Sequence, residues 1–259
     1  MRRDRARCRP RAASVAPSLD RVRSACVHPV RLPINVHHYP GPRQPHGTST
    51  PFRGERSMLR LHHAPNSRAG RIVWLLEELG LPYELNRMDF HPSALKSDEH
   101  RARHPLGRIP VLEDGEVMIY ESGAICDYVI ERHAPGRLKP PVDSPDFPAF
   151  LQWFHYCEGM VMPPVNTIVV QTVLLPEDRR DANVLGQAQR LLTKAWAPVD
   201  EALADREYVA REFSIADIML GHAAYMSNRL GCVPDEMANL KAYVARIEAR
   251  PAFQKGIGA

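Results

Sequence analysis

Two short polar stretches, each opening a helical pattern, hold residues whose types and spacing suit chemistry. The first is the loop Ala64-Pro65-Asn66-Ser67-Arg68, which leads from the strand-like Leu59-Arg60-Leu61-His62 into an apolar face of Ile72, Leu75, Leu76 and Leu79. A helix start offers free amide donors and a partial positive charge, so an anion is welcome there. The Ser67 hydroxyl or the Asn66 amide can donate to it. The bland alternative is that Ser67 is a plain N-cap. The second stretch is Glu121-Ser122-Gly123, a carboxylate, a hydroxyl and a residue without a side chain, followed by Ile125, Tyr128 and Val129 at helical spacing. This junction is a polar pocket at a helix start.

A hairpin must position the second stretch. The runs Ile109–Leu112 and Val117–Tyr120 flank Glu113-Asp114-Gly115-Glu116, whose Asp-Gly pair is a hairpin signal. Pro110 removes a ladder donor, which places its strand at the sheet edge or turns its backbone toward another partner, such as a ligand backbone. Upstream, Tyr83–Met88 follows the Gly80 helix stop and Pro82. Strand, helix, strand predicts a parallel right-handed crossover. The stretch 92–103 is polar and loosely helical, completing a β-α-β-α-β-β-α order. Pro135-Gly136 ends the last helix, and the Pro-rich 139–145 reads as a linker. Beyond it the apolar stripes are helical: Phe150, Trp153, Phe154, Cys157 and Val161, then Leu185, Ala188, Leu192, Ala195 and Val199, then Leu240, Tyr243, Val244 and Ile247. Pro198 is expected to kink or interrupt the second. Ser214-Ile215-Ala216-Asp217 is a capping box with Phe213 and Ile218 as its staple, worth about 0.5–2 kcal/mol.

From about Met58 onward this combination resembles the glutathione S-transferase family, whose cis proline, hairpin and Glu-Ser pair are matched by Arg108-Ile109-Pro110-Val111 and Glu121-Ser122. The resemblance implies an α/β thioredoxin-like domain over 58–135, a linker at 136–146 and an all-α domain over 147–259. It implies a cytosolic, bacterial transferase of a Ser-type or unassigned class, acting as a homodimer. Glutathione would be the co-substrate, with no metal. A free thiol has a pKa near 8.5, so lowering it by about 2 units, roughly 2.7 kcal/mol, makes the thiolate predominant. Ser67 is the first candidate to donate to the sulfur and Asn66 the second. No Cys occupies the loop, which favours thiol addition or substitution over mixed-disulfide chemistry. Ile109 before Pro110 would pair with the cysteinyl backbone, and Glu121 and Ser122 would hold the γ-glutamyl ammonium and carboxylate. Arg108 would face the glycyl carboxylate or be an unpaired surface residue. Tyr156 and Met160, off the first stripe, would line the pocket of a small hydrophobic electrophile. A non-catalytic adaptor, and a glutathione-dependent isomerase, etherase or peroxidase, are the alternatives on the same residues.

Composition sets the remaining bounds. The chain has 259 residues, 44% hydrophobic and 25% charged, enough to bury an ordinary core. Its net charge of +4 is misleading, because residues 1–57 carry +9, with 12 Arg and no Lys, leaving the rest at −5. That argues against nucleic-acid binding by the folded part. The first 57 residues hold eight prolines and no apolar period, so disorder is expected. They read as a transit peptide, a nucleic-acid-binding arm or, preferred here, a translated GC-rich leader ahead of a true start at Met58. No apolar run approaches the roughly 20 residues that span a bilayer, so no membrane insertion is expected. The five cysteines form no close pair, which suits a reduced cytoplasm. His62, His63, His100 and His104 lack an acidic or Cys partner at metal-ligand spacing, and are expected to be solvated.

Overall fold

The computed structural model describes residues 58–259; the expected leader, 1–57, lies outside the described residues. Four strands, β1 (Leu59–His63), β2 (Tyr83–Arg87), β3 (Val111–Asp114) and β4 (Val117–Tyr120), form a mixed sheet in the order β2-β1-β3-β4. β1 and β2 are parallel, with Leu61 opposite Leu85. β3 runs antiparallel to both neighbours, Leu112 facing Leu61 on one side and Ile119 on the other. Helix α1 (Ala69–Leu79) crosses from β1 to β2 and buries Ile72, Val73, Trp74, Leu75 and Leu76 almost completely. Gly80, at φ 65°, ends it with a left-handed cap. Two short helices, α2 (Pro92–Leu95) and α3 (Asp98–Arg103), lead to the hairpin, and α4 (Ser122–His133) follows it.

Three local expectations change. β3 is an inner strand, because Pro110 stands just before the ladder, which begins at Val111, and so removes no donor from it. The turn is Gly115-Glu116 rather than Asp114-Gly115: Asp114 pairs with Val117, and Gly115 takes the positive φ of 61° that the first turn position requires. The four histidines are buried, none more than 3% exposed. Each occupies a strand or a helix end facing the interior. His62 bonds Glu113 at 2.7 Å and Asn86 at 2.8 Å, while His100 meets the Arg108 carbonyl at 2.8 Å.

The remainder is helical. α5 (Phe147–Tyr156) continues through a π turn at Cys157–Val161 into α6 (Met162–Val169), which ends in a second π turn at Val170–Leu174. α7 (Ala182–Ala202) runs uninterrupted through Pro198. Burial of Leu192, Ala195, Trp196 and Val199 on either side holds it against a proline cost of about 3 kcal/mol. α8 (Ile215–Arg229) starts with the expected capping box. Asp217 also accepts from the Val209 amide at 3.0 Å and the Tyr243 hydroxyl at 2.9 Å. α9 (Ala238–Glu248) and α10 (Pro251–Gly258) complete the fold. α10 lies on α1 through two glycines: a Cβ built on Gly256 would stand 2.7 Å from the Gly70 carbonyl oxygen. Beside them Phe253 meets Trp74 edge-on at 4.9 Å. Arg250 clasps Glu78 at 2.7 and 2.8 Å while its guanidinium lies 3.6 Å over the Phe213 ring. Helical and sheet-bearing parts thus form one compact unit.

Candidate active site

The start of α1 divides two cavities. The smaller, about 130 Å³, is polar and collects Arg68, Pro110, Glu121, Ser122 and Glu158, with Arg108 and Ile109 at its edge. It is organised by Arg71, one turn into α1, whose guanidinium is fully buried. Arg71 Nη1 donates to Ser122 Oγ at 3.0 Å and to Glu158 Oε1 at 2.5 Å, and Nη2 approaches Cys157 Sγ at 3.5 Å. Burial works against that charge, but the neighbouring Cys157 sulfur and then the Glu158 carboxylate outweigh it and raise the Arg71 pKa. Because Ser122 Oγ accepts from Arg71, its own proton is left to donate. Cys157 is no nucleophile here, since burial pushes its thiol up to about 11.

Arg68 supplies a second guanidinium, donating to Asn166 Oδ1 at 3.0 Å and lying 3.6 Å from Glu158. Glu121 is held at φ 74°, ψ 117°, a region that costs an L-residue of order 1–3 kcal/mol. The hairpin and α4 impose that strain and set its carboxylate at the exposed cavity edge. The Ile109–Pro110 peptide is cis. His104 stacks on Tyr120 at 4.4 Å and accepts from the Leu106 amide at 3.2 Å, which anchors the loop leading to Arg108. A carboxylate beside two guanidinium groups and a hydroxyl donor matches a zwitterionic amino-acid group, ammonium toward Glu121 and carboxylate toward Arg68 and Ser122.

The larger cavity, about 760 Å³, takes Asn66 and Ser67 into its wall, facing Val169, Val173, Tyr225 and Met226. The Ser67 hydroxyl donates to the Ala64 carbonyl at 2.6 Å and accepts from the Ala69 amide at 3.2 Å. Its proton is therefore engaged with backbone in this structure. Asn66 is exposed at φ 58°, a left-handed conformation that Asn tolerates. Tyr156 and Met160 line neither cavity. The Tyr156 hydroxyl donates to the Ala195 carbonyl at 2.9 Å, and Met160 is 54% exposed. Sequence reasoning missed Arg68, Arg71 and Glu158. Arg71 had a signal: it stands four residues before Leu75, a charge in register with a buried apolar face.

The architecture is that of two-part proteins with a thioredoxin-like domain followed by a helical one. A theta class glutathione S-transferase from Xanthomonas axonopodis pv. citri, solved with glutathione bound, superposes with a TM-score of 0.71 at 26% identity, covering 78% of this chain and 98% of its own. Residues 57–131 match the family model for the glutathione S-transferase N-terminal domain, and 161–251 the model for the C-terminal domain. A probable glutathione S-transferase of Oryza sativa subsp. japonica is 30% identical, over 71% of this chain and 88% of that protein. Glutathione S-transferase 4 of Zea mays is 31% identical, over 71% and 85%. The chain belongs to the glutathione S-transferase family and is a transferase.

Proposed function

We propose that this chain binds glutathione with its γ-glutamyl group in the smaller cavity and delivers the thiolate past the α1 start to a small hydrophobic electrophile in the larger one. The observation that carries this reading is the position of that helix start. Consecutive residues, Ser67 and Arg68, face the apolar and the polar cavity respectively, so a tripeptide anchored at Arg68, Glu121 and Ser122 has its sulfur directed to Ser67 and the free amides. On this reading the backbone of Ile109 pairs with the cysteinyl unit and Arg108 meets the glycyl carboxylate, both residues lining the smaller cavity. No helix among the described residues is long and apolar enough to cross a membrane, and a cytoplasmic homodimer is the setting this reading assigns. Exposed Val117, Met118 and Leu151 offer apolar surface for the dimer.

Thiolate activation separates two donors. Ser67 must release the Ala64 carbonyl to reach sulfur, whereas Asn66 carries an amide that makes no hydrogen bond among the described residues. The experiment is glutathione titration with the thiolate ultraviolet band followed in Ser67→Ala, Asn66→Ala and Glu121→Ala. Glu121→Ala is expected to weaken glutathione binding by about 2–3 kcal/mol through an unpaired ammonium. Ser67→Ala is expected to raise the bound thiol's pKa with little change in affinity. If only Asn66→Ala raises it, the amide is the donor. Failure of the unmodified protein to bind glutathione overturns the reading.

A further inference from the structure

The larger cavity contains two buried imidazoles that the reading above does not use. His222, on α8, is 6% exposed, and His63, at the end of β1, is 2% exposed; both line the cavity. In each ring Nδ1 is buried without a hydrogen-bond partner. An unpaired buried polar atom costs on the order of 1–3 kcal/mol, so a site that keeps two calls for an explanation. His222 Nε2 points to the first turn of α1: a Cβ built on Gly70 would lie 3.8 Å from it. The Gly70 amide in turn bonds the Ser67 carbonyl at 3.2 Å, so His222, Gly70 and Ser67 border the cavity together at the start of α1. Burial, reinforced by Arg71 and Arg68, holds His222 well below the usual histidine range, so the ring is neutral. With Nδ1 enclosed, the single proton is assigned to Nε2, the nitrogen that can find a partner in the cavity.

We propose that His222 is a specificity-determining polar group of this cavity, donating its Nε2–H to a carbonyl oxygen carried near the reacting carbon of the electrophile. The inference deepens the glutathione transferase reading, on which it rests for the identity of the nucleophile. The rest of the wall carries Arg87, Asp89 and Arg229 together with apolar side chains, and the apolar ones set the remainder of the substrate. Val169 and Met226 are half-buried along it, and Phe90, Val173 and Leu174 are exposed at 52%, 62% and 55%. The carbonyl end is thus read deep, beside α1, and an apolar chain extends outward over the rim. A neutral donor suits an uncharged oxygen and offers nothing to an alkyl halide or an alkene.

The test needs no glutathione. Affinities of methyl hexyl ketone and of the alkene in which CH2 replaces its oxygen are measured by displacement of an apolar fluorescent dye. The ketone-to-alkene affinity ratio is expected to fall about tenfold in His222→Phe, the size of one hydrogen bond. An unchanged ratio in a folded variant overturns the proposal. If His222→Phe does not fold, nitrogen NMR of the unmodified protein decides: His222 Nε2 should shift with the ketone and not with the alkene, and equal shifts overturn it. A protein that shows the ketone preference but binds no glutathione would refute the transferase reading while leaving this one standing.

Discussion

In the smaller cavity the charged groups are tied to one another before any ligand arrives: Ser122 and Glu158 are bonded to Arg71, and Arg68 to Asn166, with the Nε atoms of Arg68 and Arg71 left without a hydrogen bond. In the larger one apolar side chains make up much of the wall, beside Arg87, Asp89 and Arg229, and the enclosed Nδ1 atoms of His63 and His222 have no partner. On the proposed reading the two sides recognise different partners. A fixed zwitterionic head rewards a preorganised set of charges, because reorganisation would cost affinity. A varied apolar partner is held mainly by area and shape.

Acid is the harshest way to test that contrast. Burial holds His62, His63, His104 and His222 below their ordinary value of 6.5. Below about that pH the unfolded chain takes up protons that the folded chain refuses, so stability falls as pH drops. Each such ring adds a slope approaching about 1.4 kcal/mol per pH unit. Asp217 opposes them: burial raises it from 3.8 to about 6, so it adds stability as pH falls through that interval. Four groups outweigh one, and urea unfolding is expected to show a steep loss between neutral pH and about pH 5. His222→Phe should flatten the slope; an equal slope would leave the sensitivity to His62, His63 and His104.

Glu158→Ala addresses the other side. It leaves the fully buried Arg71 charge without its carboxylate, and about 3 kcal/mol of stability should be lost together with glutathione affinity. A loss below about 1 kcal/mol in denaturant titration would show that Ser122 and the neighbouring sulfur suffice. Gly256→Val is the milder change. Its side chain would meet the Gly70 carbonyl and Trp74, costing roughly 1–3 kcal/mol and displacing α10 from the larger cavity. Glutathione affinity should hold while dye binding falls, and a parallel fall of both would mean that the cavities are not independent.

These two sides also differed in how far they could be read from the chain. Pro110, Glu121 and Ser122 lie within one hairpin and the helix start after it, where alternation and turn chemistry are local signals. The apolar wall comes from positions near 90, 170, 225 and 257, which no local period connects. Tyr156 and Met160 stand off the stripe from Phe150, and that stripe is buried as far as Val161, across the π turn at Cys157–Val161. What residues off the stripe meet is set by tertiary packing, which gives the Tyr156 hydroxyl to the Ala195 carbonyl. The histidines were misread because adjacent polar residues look solvated; only the sheet and α3 show them facing inward. Arg71 stayed hidden because its partners, Ser122 and Glu158, are distant in sequence.

The glycine contact between α1 and α10 ties the order of synthesis to the order of assembly. Ser67 leaves the ribosome early, yet the helix that closes the wall beside it comes from the far end of the described fold. At about 5–20 residues per second, on the order of ten seconds or more separate the two. The polar cavity is still less self-sufficient than its sequence suggests, since Glu158 and Asn166 must also arrive before Arg68 and Arg71 are neutralised. A nascent chain therefore passes through a period with two uncompensated guanidinium groups and an open apolar floor, which makes chaperone contact most valuable before α10 emerges.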